Sequence, residues 1–291
     1  MKIIENYEMY AQTVNGYKRE KKRCRTNMIF MQNEINKLID GGKLYYDLIE
    51  GILWFFVKNE DYYTAFFCLP KEEKIKLTPQ DLDVIVELYS NNDRYHSEWE
   101  TELMEIGFEK YHKSFEFVTK KEEYGEQIEK QAKKARQFVE KLGCHYRSAK
   151  QEDCDALYRL WRSKIDKYAI PTMTNNQINE MVRHNRSIIV LNEKNEIVAA
   201  GHYSRTGNTA VRLSNVSLQK GFGPFVNFQL TASAFREGCD RVNSWVWDGN
   251  KNTIFGVNKD SSTLQKRPYV LTGRICQQFL MRKTGGTHEN N

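Results

Sequence analysis

The chain has 291 residues, 40% hydrophobic and 28% charged, with a net charge of +6, and this length suits two domains that each have an apolar core. The longest apolar runs, such as Ile52 to Val57, are too short to cross a bilayer, and no signal peptide opens the chain, so we expect a cytoplasmic protein without a membrane partner. Six cysteines show neither CxxC nor metal-type spacing, which predicts reduced thiols and no metal site.

The first 40 residues have the pattern of helices that end at Gly41 and Gly42. They contain a basic run of six Lys and Arg side chains between Lys18 and Arg25. Such a run can bind RNA or a phosphorylated ligand. Because no aromatic residues are interleaved with the charges, a solvated helix face is the favoured interpretation, and nucleic acid is not an expected partner.

The next part of the chain reads as strands with one helix among them, and residues 1–120 form a candidate first domain. The predicted elements are strands at Leu44 to Ile49, Ile52 to Val57, Tyr62 to Leu69 and Val84 to Leu88, a helix at Glu98 to Ile106, and a strand at Phe115 to Val118. A helix over residues 121–143 then connects this domain to the rest, because strong helix formers carry a regular apolar stripe up to Gly143.

A similar order of elements begins again after Gly143, so residues 144–283 form a candidate second domain. Two helices are followed by a hairpin, in which Ile188 to Leu191 and Ile197 to Ala200 flank a polar turn. Residues 284–291 are polar, contain glycine, and are expected to be disordered. The repeat lies in the order of the elements and not in the identity of the residues.

The stretch from Val216 to Asn250 has the clearest ligand-binding pattern. A strand runs into Lys220-Gly221-Phe222-Gly223-Pro224, an amphipathic segment follows, and a second strand covers Val242 to Trp247. Glycines there let the backbone approach a ligand without an intervening Cβ. The start of the following helix directs free N–H groups and a positive dipole end at the loop. The pattern predicts a bound anionic phosphate, although a glycine loop can also be a plain turn.

These residues resemble the GNAT superfamily of GCN5-related N-acetyltransferases, whose pyrophosphate loop reads Gln/Arg-x-x-Gly-x-Gly/Ala. Gly221 and Gly223 fit the glycine pair, and Asn250 fits an Asn that follows the next strand. The chain departs from the pattern at Leu218, where the family has Gln or Arg, and at Val257, where it often has Tyr. The resemblance covers about residues 145 to 271. It implies an α/β (α+β) fold of two GNAT-like halves, each a mixed, largely antiparallel sheet flanked by helices, with the first half degenerate.

The resemblance also implies that acetyl-CoA or another acyl-CoA binds the second half as co-substrate. The residues expected to hold it are Val216, Ser217, Leu218, Gly221, Phe222, Gly223, Pro224 and Asn250.

Acyl transfer to an amine needs a base for the amine and an acid for the leaving thiolate. The strand from Ala210 to Leu218 has no acidic residue, so His202 on the preceding strand is the candidate base. Tyr269 is the candidate acid. Tyr203 is a second candidate for that role and, with Asp248, is expected to contact the acceptor. Each has an ordinary alternative, since a histidine or tyrosine can simply pack in a strand and Asp-Gly is a common turn.

The function predicted from these residues is acyl-CoA-dependent transfer to an unidentified amine, on a small molecule or a peptide. One alternative is transfer of an aminoacyl group from charged tRNA by a protein of related fold, with the basic run on RNA phosphates. Another is a protein that binds acyl-CoA without catalysis, which the missing acid on the strand and Val257 favour. The sequence predicts neither the acceptor nor the oligomeric state.

Overall fold

The computed structural model describes residues 1–28, 32–91, 97–164, 175–218, 222–247 and 270–283. The chain divides into two compact units. The first unit contains Met1–Ser114 together with the C-terminal residues from Gly273 on, and the second contains Phe115–Thr272. The sequence places residues 144–283 in one domain, whereas the contacts group the chain beyond Thr272 with the first unit. The expected disordered tail, 284–291, lies outside the described residues.

The helices and strands follow one another along the whole chain. They are β1 (Lys2–Ile3), α1 (Tyr7–Lys21), β2 (Cys24–Thr26), α2 (Gln32–Asp40), β3 (Leu44–Ile49), β4 (Ile52–Lys58), β5 (Tyr62–Pro70), β6 (Asp83–Asn91), α3 (Ser97–Glu105), β7 (Glu109–Lys120), α4 (Lys121–Lys141), β8 (His145–Ser148), α5 (Cys154–Lys164), α6 (Asn175–Arg183), β9 (Ser187–Leu191), β10 (Ile197–Thr206), β11 (Thr209–Ser217), α7 (Phe222–Arg236), β12 (Arg241–Trp247) and β13 (Val270–Met281).

The first unit is a mixed sheet with the strand order β1-β3-β4-β5-β6-β13-β7. Its pairs are antiparallel at β3/β4, β4/β5 and β6/β13, and parallel at β5/β6. Strand β4 is buried on both faces. Trp54 and Phe56 pack with α3 on one face, and Leu53 and Phe55 pack with α1 and α2 on the other. Burial on both faces explains the continuous apolar run from Ile52 to Val57.

Strand β2 corrects the expectation that the first 40 residues are helical. The parallel pairing of β5 with β6 ends at Ala65 and Val86, although both strands continue. Strand β2 pairs with β5 beyond that point, from Thr26 opposite Cys68 to Cys24 opposite Pro70. The edge of β5 that β6 leaves is therefore paired by β2.

The side chain of Asn27 fills the remaining space between β5 and β6. Its Oδ1 accepts a hydrogen bond from the N–H of Phe67 at 2.8 Å, and its Nδ2 donates to the carbonyl of Glu87 at 3.2 Å. Asn27 is buried, so these contacts satisfy two backbone groups that the separated strands would otherwise leave without partners. The first unit thus closes the gap between its parallel strands with its own residues.

Arg25 of the basic run also belongs to this local structure. Its guanidinium donates to both carboxylate oxygens of Glu102 at 2.7 Å and lies 5.9 Å from the ring centroid of Trp99. One charge of the run is thus paired inside the first unit.

The second unit is a mixed sheet with the strand order β7-β12-β11-β10-β9-β8. Neighbouring strands from β8 to β11 are antiparallel, and β11 pairs with β12 in parallel. Helices α4 and α7 cover one face, and α5 and α6 cover the other. Buried Gln229 of α7 donates to the carbonyl of Ala132 in α4 at 2.8 Å, which joins the two helices. The prediction of mixed, largely antiparallel sheets flanked by helices is confirmed for both units.

Candidate functional site

Strands β11 and β12 of the second unit separate in the middle of the sheet. Across β10 and β11, His202 lies opposite Ser214 and Tyr203 lies opposite Arg212, which leaves Leu213 as the extra residue of a β-bulge. In the described part of the chain, the parallel pairing of β11 with β12 stops at Arg212 and Ser244, although both strands run on. A gap therefore opens between the two strands just beyond the bulge.

The backbone of β11 beyond the bulge is directed alternately to β10 and to the gap. The N–H of Leu218 donates to the carbonyl of Val198 in β10 at 2.8 Å. Because backbone groups alternate along a strand, Val216 also bonds toward β10, and Asn215 and Ser217 direct their N–H and C=O groups to the side of the gap. Of the three predicted β11 residues, Val216 packs its side chain with α5 and α6, and Leu218 is 48% exposed.

Asn215 holds the start of α7 beside this gap. Its Nδ2 donates to the carbonyl of Gly223 and to Oδ1 of Asn227, both at 2.8 Å. Its own Oδ1 is buried and has no hydrogen-bond partner. Phe222 anchors the first turn of α7 in the core. The sequence gave no reason to select Asn215, since its role depends on the proximity of β11 to the helix start.

The first turn of α7 leaves room next to Gly223. A Cβ at Gly223 would lie 3.8 Å from Nδ2 of Asn215, which is an ordinary van der Waals distance. Packing within the chain therefore does not require a glycine at this position. The neighbouring Pro224 is exposed, in keeping with its place in the first turn of a helix. Gly221, which the sequence pairs with Gly223, lies outside the described residues.

His202 is buried on β10, with 2% of its surface exposed. Its Nδ1 lies 2.7 Å from the hydroxyl of Ser187 on β9, its cross-strand neighbour. Burial lowers the pKa of His202 to about 4, so the imidazole is neutral at physiological pH. The ring is unprotonated, as a base must be, but it is also packed as a structural histidine would be. The role of base stays a prediction.

Tyr203 lies on the opposite side of the sheet, because the bulge intervenes between it and His202. Its buried hydroxyl donates to Oε2 of Glu237 at 2.8 Å. Glu237 also binds the guanidinium groups of Arg186 and Arg205. Although burial alone would raise it, these hydrogen bonds lower the pKa of Glu237 to about 2. The network ties β10 to the end of α7, and the predicted contact of Tyr203 with an acceptor stays a prediction.

Four predicted site residues cannot be placed against this geometry. Gly221, Asp248, Asn250 and Tyr269 lie outside the described residues. Among the described residues, no group of three or more His, Cys, Asp and Glu side chains could hold a metal ion. None of the helices in the described ranges combines the length and the apolar character that crossing a bilayer requires.

A buried carboxylate that the sequence did not indicate lies on β7 of the second unit. Glu116 is 3% exposed. Its Oε1 accepts from Nδ2 of Asn243 on β12 at 3.1 Å, and its Oε2 accepts from the hydroxyl of Thr272 on β13 at 2.9 Å. In the sequence, Glu116 is one of many charged residues in a strand, and nothing nearby in the chain marks it. Only the pairing of β7 with β12 brings it close to the gap.

Comparison with known proteins gives a likeness of structure alone. No family model matches the chain, and no curated protein matches it. A GCN5-related N-acetyltransferase from Sphaerobacter thermophilus is similar with a TM-score of 0.51 and 10% identity, over 82% of this chain and 79% of that one. A Drosophila protein is similar with a TM-score of 0.51 and 12% identity, over 97% of this chain and 92% of that one. A tandem GNAT protein from the clavulanic acid biosynthesis pathway has a TM-score of 0.49 and 7% identity. The chain therefore has the fold of the GCN5-related N-acetyltransferase superfamily.

Proposed function

We propose that the second unit binds an acyl-CoA, in the first place acetyl-CoA, and transfers its acyl group to an amine. The observation that carries this proposal is the gap between β11 and β12, which opens at a bulge and lies beside the start of the 15-residue helix α7. Backbone groups on the gap side of Asn215 and Ser217 suit the amides of a pantetheine chain. The N–H groups of the first turn of α7 suit its phosphates.

Two further features fit a bound CoA. The buried Oδ1 of Asn215 is an acceptor without a partner, and leaving such a group unsatisfied costs about 1 to 3 kcal/mol. An amide N–H of pantetheine would satisfy it. The space next to Gly223 allows a ligand to approach the helix backbone. Bound acyl-CoA would supply an activated acyl group as a thioester, and the residues of the chain would orient the acceptor and exclude water from it.

The first unit lacks this opportunity, which supports a single cofactor site per chain. Its parallel strands β5 and β6 also separate, but β2 and Asn27 fill the space between them. We therefore expect one CoA per chain, in the second unit.

Calorimetric titration with CoA and acetyl-CoA tests the proposal. The variant Gly223→Val adds a branched side chain where the ligand would approach, and we expect it to weaken CoA binding at least tenfold. Gly16→Val is the matched control, because Gly16 also lies in a helix, has no atom within 4 Å of an added Cβ, and belongs to the first unit. Equal affinity of both variants and the wild type would refute the site.

Turnover then separates the remaining alternatives. Mass spectrometry of reactions with acetyl-CoA and a panel of amines detects an acylated product directly. Product that forms only when aminoacylated tRNA replaces acetyl-CoA would point to aminoacyl transfer. CoA binding without any product from either donor would identify a binding protein without catalytic activity.

A further inference from the structure

The buried carboxylate of Glu116 lies beside the gap between β11 and β12. The N–H of Lys121 donates to the carbonyl of Asp240 at 2.7 Å, and farther along the same two strands Glu116 contacts Asn243. Residue numbers thus fall along β7 as they rise along β12, so the strands are antiparallel. Glu116 reaches the level of Asn243 and Ser244. Because Ser244 is the last β12 residue paired with β11, the carboxylate lies one strand away from the point where the gap opens.

Glu116 and Asn243 occupy the sheet face that α7 does not cover. Val242 packs in the core formed with α7, and side chains alternate between faces along a strand, so Asn243 points to the other face. The hydrogen bond between Asn243 and Glu116 places the carboxylate on that same face. A ligand that enters the gap from this side would meet both side chains.

The side chain of Asn243 has one unused polar atom. Its Nδ2 donates to the carboxylate of Glu116, while its Oδ1 is buried and has no hydrogen-bond partner. Rotating the amide by 180° would not remove this deficit, because the oxygen would then face the carboxylate and repel it. A buried acceptor without a donor costs about 1 to 3 kcal/mol, so a ligand that donates here would recover that free energy.

The two side chains present only acceptors to a ligand, a carboxylate and an amide oxygen. A primary ammonium group has three N–H donors and a positive charge, so it can bind both of them at once. An alcohol has one donor and no charge, and a carboxylate or phosphate would be repelled. We propose that Glu116 and Asn243 form the subsite that binds the ammonium group of the acceptor amine. This inference rests on the proposed function, because it places the acceptor next to the acyl-CoA gap.

The simplest probe of the subsite is n-butylamine, with 1-butanol as its uncharged counterpart. Saturation-transfer NMR titrations on the full chain, with and without CoA, measure the affinity of each. We expect wild type to bind butylamine more tightly than butanol. Glu116→Gln should weaken butylamine binding by about tenfold or more, because a charge-assisted hydrogen bond is lost. Butanol binding should stay the same.

A variant of the first unit is the matched control. Glu87 on β6 also accepts hydrogen bonds, from the hydroxyl of Tyr89 at 2.7 Å and the amide of Gln278 at 3.3 Å. Glu87→Gln removes a comparable carboxylate from the unit whose gap is filled, so it should leave butylamine binding unchanged. CoA titration of Glu116→Gln checks that the second unit is folded. If that variant does not fold, Asn243→Ala tests the same subsite and should also weaken butylamine binding.

Two results would overturn the subsite. One is equal butylamine affinity of wild type and the folded variant, and the other is wild-type binding that does not distinguish the amine from the alcohol. The outcome is separate from that of the proposed function. A wild-type protein that binds butylamine through Glu116 but does not bind CoA would refute the acyl-CoA gap and leave the ammonium subsite in place.

Discussion

Acidification should destabilise the protein through His202. Burial lowers the pKa of His202 from 6.5 to about 4 in the folded protein. In the unfolded chain the ring titrates near its ordinary value, so between about pH 6.5 and pH 4 the unfolded state binds more protons than the folded one. The free energy of unfolding therefore decreases as the pH falls through this window. A difference of about 2.5 pKa units, at about 1.4 kcal/mol per unit, amounts to about 3 kcal/mol.

Urea denaturation at a series of pH values measures this contribution. Carboxylates titrate in the same range, so the quantity to compare is the slope of the free energy of unfolding against pH in wild type and in His202→Asn. The asparagine keeps a polar group next to the hydroxyl of Ser187 but cannot take up a proton. We expect the variant to lose up to about 3 kcal/mol of the pH dependence between pH 6.5 and 4. His145→Asn is the control, because His145 is exposed.

Equal slopes for wild type and His202→Asn would refute the reasoning. They would mean that the imidazole takes up its proton as easily in the folded protein as in the unfolded chain. In that case His202 would be accessible to water, and a role in proton transfer would gain support.

Three further outcomes are expected. Asn27→Ala should lower the free energy of unfolding by about 3 kcal/mol in urea titrations, because two buried backbone groups lose their partner; a loss below about 1 kcal/mol would contradict the closure of the first gap. Tyr203→Phe should cost about 1 to 2 kcal/mol and raise the pKa of Glu237, followed by NMR, since one donor is removed; an unchanged carboxylate pKa would contradict this. His202→Ala and Tyr269→Phe should each slow acyl transfer by about 10²-fold at unchanged CoA affinity, and unchanged rates would discard both as catalytic groups.

The sequence predicts elements whose pattern is local. Alternating and apolar runs identify the strands of the hairpin from Ile188 to Ala200, which appear as β9 and β10. The strand predicted at Val242 to Trp247 corresponds to β12, and the amphipathic segment before it to α7. These segments carry their own periodicity, because each packs one regular face on a core.

Features that depend on distant pairing were not predictable. Strand β2 is three residues long, and its partner β5 lies far along the chain, so the surrounding residues read as helix. The functional interest of Asn215 comes from the start of α7, and that of Glu116 comes from β12. Neither environment is written into the neighbouring residues. The glycine pattern directs attention to the correct part of the second unit, but the polar groups around the gap become visible only in three dimensions.

The position of β13 has a consequence for the birth of the protein on the ribosome. In the sheet of the first unit, this last strand lies between β6 and β7, which are synthesised long before it. While the second unit is still being translated, the nascent first unit must wait with the edge of β6 unpaired. Open edges invite pairing with other chains, and closing such a distant contact is slow. The half that is made first can be completed only last, so loss of the final strand should damage the beginning of the chain.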